Sequence, residues 1–199
     1  MNAVSKKFFA GMCLACLSFA CGGAVIAGQA AKDSEKRPVK WATSLEKPGL
    51  PNLFKVSDDL YRGAQPEDLG FAELVKLGVK TVVNLRALHS EREELDKTSM
   101  NYRHIKFSTF HPEEEDVVAF LKILADPAKR PVFVHCQHGS DRTGMMTAYY
   151  RIVFQGWTKE EAIREMTTGG YGFHSIWQNL VKFIRKSDIE KIRKASGIK

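Results

Sequence analysis

Cys136 and Arg142 are separated by five residues, Gln137, His138, Gly139, Ser140 and Asp141, and Thr143-Gly144 follow directly. A thiol and a guanidinium at that spacing can close a loop around one tetrahedral anion. The sulfur then faces the central atom while the planar fork of the arginine grips two of its oxygens. Such a loop needs rigid supports. Pro131-Val132-Phe133-Val134 is short, apolar and β-branched, as a buried strand requires, and Met145 to Phe154 reads as a helix. The loop therefore joins the carboxyl end of a strand to a helix N-terminus, where backbone N–H groups and the helix dipole attract negative charge. The same dipoles and Arg142 favour the thiolate of Cys136 over its thiol. Thr143 is placed to donate its hydroxyl to the sulfur when the sulfur departs. A lone cysteine would read as a small buried apolar residue; the run of Cys, Gly, Arg and Thr between a strand and a helix does not.

His135-Cys136, Gly139 and Arg142-Thr143-Gly144 resemble the signature of the cysteine-dependent protein tyrosine phosphatases, Cys-x5-Arg-Ser/Thr. Leu60-Tyr61-Arg62-Gly63-Ala64-Gln65-Pro66 and Leu77 to Arg86 extend the likeness to the compact dual-specificity-like group. Within that group the chain is similar to the exported bacterial tyrosine phosphatases and to the atypical dual-specificity phosphatases of plants and fungi. The resemblance implies a phosphomonoester hydrolase that works through a cysteinyl-phosphate without cofactor or metal. Cys136 would be the nucleophile, and Arg142 with the N–H groups of 137–142 would hold the equatorial oxygens. Gln137, His138, Gly139, Ser140 and Asp141 would line the substrate. The family also carries an acid on a loop before the signature strand, which protonates the leaving oxygen. The segment Ser108-Thr109-Phe110-His111-Pro112 has no Asp; the carboxylates start at Glu113 and continue through Glu114, Glu115 and Asp116. Glu113 is the leading choice, with Asp116, Asp141 and His111 as rivals. Four acids in a first helical turn are also what a helix dipole favours.

Relatives acting on highly phosphorylated inositols carry Lys or Arg at the variable loop positions, and this loop has none besides Arg142. Asp141 disfavours polyanions. Phosphotyrosine protein is the expected substrate, with phosphoserine and phosphothreonine also admitted. Inositol-phosphate hydrolysis and a catalytically idle phospho-binding module are the alternatives. A sulfurtransferase also places a Cys loop after a strand, but Arg142-Thr143-Gly144 running straight into a helix favours phosphate.

The remaining sequence frames this centre. Strands alternating with helices predict an α/β domain, a mainly parallel central sheet flanked by helices on both faces. Lys6-Lys7, the uncharged stretch from Phe8 to Gly28 and the small pair Gly28 and Ala30 read as an export leader over residues 1–30. It is either cleaved, retained as an anchor, or lipidated at Cys21, and the destination is the periplasm. Residues 31–52 read as a linker, 53–187 as the phosphatase domain and 188–199 as a basic tail. Cys13, Cys16 and Cys21 lie in the leader, so Cys136 would stand alone in the mature domain, suited to a nucleophile in an oxidising compartment. No paired Cys or His spacing favours zinc. The formal charge of +7 falls to about +5 without Lys6 and Lys7, and much of it sits after Lys182. No basic patch interleaved with aromatics supports nucleic-acid binding. A monomer is expected, with a possible membrane tether through the N-terminus. Arg86, at the carboxyl end of the Val79–Leu85 strand, either borders the pocket or pairs with Glu91 or Glu94. The glycine-rich stretch from Thr167 to His174 reads as a helix–helix connector, with approach to the substrate as the alternative.

Overall fold

The computed structural model describes residue 38 and residues 40–198; the leader and residues 31–37 of the linker lie outside the described residues. The sheet is built from β1 (Thr43–Ser44), β2 (Phe54–Lys55), β3 (Leu60–Gly63), β4 (Thr81–Asn84), β5 (Asn101–His104) and β6 (Val132–His135). Their spatial order is β1-β2-β3-β6-β4-β5, and the four strands from β3 to β5 run parallel. Around them lie α1 (Asp68–Lys76), α2 (Arg92–Leu95), α3 (Glu114–Ala125), α4 (Asp141–Gln155), α5 (Lys159–Thr168), α6 (Gln178–Lys186) and α7 (Ile189–Ala195).

Side chains alternate across a strand, so β6 feeds two cores. Val132 and Val134 join Met145, Met146, Tyr149 and Phe120 on the side of α3 to α7. Phe133 joins Leu74, Val82 and Leu95 on the side of α1 and α2. Helices thus cover both faces, as the sequence implied. α4 is buried along most of its length, which suits a helix wrapped by others. It carries one charged pair inside: Arg151 Nε lies 2.7 Å from Glu165 Oε2. The register puts Gly63, His135 and Asn84 in one row at the carboxyl ends of β3, β6 and β4. Cys136 leaves the sheet from the middle of that row.

The packed domain extends past both bounds expected from sequence. β1 lies before residue 53 and pairs antiparallel with β2. Ala42 and Leu50 are buried, and Ala42 N donates to Glu165 Oε1. At the other end α7 is part of the fold, because Ile192 is buried in the main core and Lys191 pairs with Glu114. Within the charged stretch from Ser90 to Met100 the only helix is the single turn of α2. Leu95 is its one buried residue, and Thr98 Oγ1 bonds back to Leu95 O at 2.8 Å, closing it.

Candidate active site

Cys136 is buried at the end of β6, and the loop it opens is fixed from several directions. Gly139 takes a φ of +72°, and a Cβ there would lie 2.4 Å from the carbonyl carbon of Gly63. Only glycine lets the loop lie this close against the end of β3. From below, Arg62 Nη2 donates to Gly139 O at 2.6 Å while its guanidinium stacks over the Tyr171 ring, 3.7 Å from the centroid. Tyr171 in turn donates its hydroxyl to Glu165 Oε1. Asn52 Nδ2 donates to both His138 O (2.8 Å) and Tyr171 O (3.0 Å), and Gln65 N donates to Gln137 O. Arg142 Nη1 donates to Leu85 O at 3.2 Å, which ties the guanidinium to the end of β4.

The anion end of α4 is open for a ligand. Its N-cap, Ser140, makes no side-chain capping bond; the hydroxyl instead donates to Tyr171 O at 2.7 Å. The N–H groups of the first turn are therefore not capped by Ser140, and the N-terminus of a helix so left suits an anion. Behind the nucleophile, His135 Nε2 lies 2.9 Å from Glu91 Oε2 without hydrogen-bond alignment, and both residues are almost wholly buried. His135 Nδ1 contacts Cys136 O at 3.2 Å.

A pocket of about 330 Å³ opens over the loop, lined by Thr109, Gln137, His138, Asp141, Arg142, His174, Ile176 and Trp177. A larger groove of about 650 Å³ beside α1 shares no residue with the signature loop. Gln137, His138 and Arg142 thus stand where the sequence puts a substrate. Ser140 is not among the lining residues, and Asp141 lines the pocket with its carboxylate engaged by His174. Ser140 is turned toward Tyr171, and Asp141 accepts from His174 N (2.8 Å) and lies 2.9 Å from His174 Nδ1. Asp141 Oδ1 is therefore an acceptor held by a neighbour's backbone. Thr143 is fully buried, and its hydroxyl has no hydrogen-bond partner, so donation to the sulfur is not formed in this geometry.

Glu113, Asp116 and His111 are not among the residues lining the pocket. Glu113 is exposed at the start of α3, 4.0 Å from His111 Nε2, and His111 is itself exposed. Asp116 is half-buried; burial first, and then the charges of Glu113 and Glu115, push its carboxyl above the usual range. Arg86 bonds Gln65 Oε1, pairing with neither Glu91 nor Glu94 among the contacts seen. Arg62, Asn52, Tyr171 and His174 were not singled out by spacing, since each meets the loop across a long stretch of chain. The one available signal was the cluster of glycines and aromatics at 169–174, whose backbone packs against the loop instead of merely joining two helices.

Residues 52–182 match the family model described as a DSP-PTPase phosphatase fused to NAD+ kinase. The chain is 34% identical over 167 residues to the dual specificity protein phosphatase TpbA of Pseudomonas aeruginosa, spanning 83% of this chain and 75% of that one. The chain belongs to the dual-specificity protein phosphatases. A crystal structure of TpbA superposes with a TM-score of 0.71 at 33% identity, covering 81% of this phosphatase and 99% of that chain. A cysteine-to-serine variant of TpbA in complex with pTyr gives the same TM-score at 32% identity, over 81% and 98% of the two chains. The phosphatase is also 27% identical over 125 residues to the inositol diphosphatase DSP5 of Arabidopsis thaliana, over 58% and 60% of the two chains. The fold and the resemblance read from the signature loop therefore hold: this is a cysteine-based phosphomonoester hydrolase.

Proposed function

We propose that this phosphatase acts outside the cytoplasm on phosphotyrosine in proteins, and more slowly on phosphoserine and phosphothreonine. Cys136 attacks phosphorus, and Arg142 with the N–H groups at the start of α4 holds the equatorial oxygens as charge shifts in the transition state. Water then hydrolyses the cysteinyl-phosphate. The observation that carries the substrate choice is the lining of the pocket. Arg142 is the sole Lys or Arg among the described lining residues, and Ile176 and Trp177 give an apolar wall beside it. One phosphoryl group on an aromatic ring suits that balance; a polyphosphorylated inositol leaves most of its charge unmatched. The complex of a TpbA variant with pTyr supports the same choice by analogy. Export rests on Lys6-Lys7 and the apolar stretch after them, and the domain works as a monomer, either released or tethered by that leader.

Competition assays on the purified domain decide the substrate. Phosphate release is compared for phosphotyrosine, phosphoserine and phosphothreonine peptides and for an inositol polyphosphate, with Cys136→Ser as the blank. A phosphotyrosine peptide should have the highest kcat/KM and the blank none. Preference for the inositol polyphosphate, or turnover surviving in Cys136→Ser, sinks the reading.

A further inference from the structure

We propose that His174 is the proton donor of this site, protonating the leaving oxygen from Nε2 and taking a proton from the attacking water in the second step. The inference rests on the Cys136 reaction above and names the acid that the 108–116 segment does not supply. Three observations carry it. His174 lines the same pocket as Gln137 and Arg142, whereas Glu113, Asp116 and His111 do not. Its Nδ1 lies 2.9 Å from the carboxylate of Asp141, whose side chain is only 10% exposed. Its own side chain is 52% exposed, so the rest of the ring is reachable from the pocket.

The chemistry follows from that pairing. A carboxylate can only accept, so Nδ1 must carry a hydrogen, and any exchangeable proton sits on Nε2. Asp141 is the residue immediately before Arg142, so the histidine is oriented by the phosphate loop itself. The charged and titratable groups around it are the Asp141 carboxylate, the Arg142 guanidinium and His138, whose ring centroid lies 5.7 Å away. An arriving phosphate dianion adds to the side of Asp141. In the first step the S–P bond forms, the bond from phosphorus to the leaving oxygen breaks, and the Nε2 proton passes to that oxygen. In the second, water attacks phosphorus, its proton goes to the vacated Nε2, and the P–S bond breaks to return the thiolate. The imidazolium is thus restored with no other reactant.

His174→Asn separates this role from that of a mere clamp, because the asparagine amide can replace Nδ1 as donor to Asp141 but cannot shuttle a proton. Its kcat on a phosphotyrosine peptide should fall by roughly 100-fold or more, as loss of a general acid does. A dinitrophenyl phosphate, whose leaving group needs no proton, should lose little, and the basic limb of the pH–rate profile should vanish. Equal losses on both substrates, or no loss on either, overturn the proposal. So does loss of the basic limb in Glu113→Gln or Asp116→Asn. Independently of any variant, nitrogen NMR of the wild-type protein should show His174 titrating along the basic limb; a histidine silent across that limb overturns it too. Wild-type protein without turnover would instead remove the parent reading and this one together, whereas wild-type turnover with an unaltered His174→Asn removes this one alone.

Discussion

The signature loop is gripped by Arg62 and Asn52, by Gln65 and by the 169–174 turn, whereas the neighbouring segment 108–113, which adds Thr109 to the same pocket, is held by far less. Asn179 Nδ2 donates to Thr109 O at 2.7 Å, and Phe110 leans edge-on against Trp177 while remaining 83% exposed. The end of the pocket that meets the phosphoryl group is therefore preorganised, and the wall that meets the rest of the substrate is lightly tied. Preorganised dipoles stabilise a transition state without reorganising as charge moves. A yielding wall discriminates little between the side chains that carry the phosphate. The contrast gives a physical basis for a phosphatase of dual specificity.

Damage to the gripped side should be severe. Gly139→Ala sets a Cβ against the backbone of Gly63 at a φ of +72° and must displace the loop. Displacing a reacting group by about 1 Å costs on the order of 100-fold in rate, so kcat/KM on an aryl phosphate should drop at least that far. A variant within a few-fold of wild type would show that the loop is not rigidly set. Arg62→Leu should come next. It strips Gly139 O of a buried donor and Tyr171 of its stacked cation, and urea denaturation should report a loss of about 2 kcal/mol together with slower turnover.

The smallest effect belongs to the first turn of α3, the helix that follows the lightly held segment. Asp116 carries a carboxyl whose pKa is raised by burial and by its acidic neighbours. The folded state therefore binds that proton more tightly than the unfolded chain does. Its contribution to stability is present below the ordinary value of 3.8 and is lost as pH rises past the folded value. At neutral pH Asp116→Asn should gain about a few tenths of a kcal/mol, an advantage that disappears in acid. Equal urea midpoints at both pH values would remove the repulsion from the account.

What the sequence disclosed was local. The loop from Cys136 to Arg142, the β-branched strand before it and the helix after it each depend on neighbours within a few residues, and each is present. What it concealed was tertiary. Arg62 and Gly139 lie 77 positions apart, and nothing in either stretch announces that one donates to the other. β1 and β2 hold two residues each, too short for any alternation to register. The basic C-terminus reads as a tail because its charges outnumber its apolar residues, yet Ile192 is buried in the core with Ile189 packed beside it, and together they seat α7. Asp141 reads as a spare acid beside the nucleophile until the backbone of His174 arrives from 33 positions away.

The claim beneath all of this is that phosphorus is transferred to one sulfur. Rapid acid quenching of the protein during turnover of an aryl phosphate, followed by peptide mass spectrometry, tests it directly. The account predicts phosphate on the peptide bearing Cys136, formed in a burst with the released phenol and absent from Cys136→Ser. Release of phenol and phosphate in step, with no phosphate on Cys136 at any quench time, would contradict it.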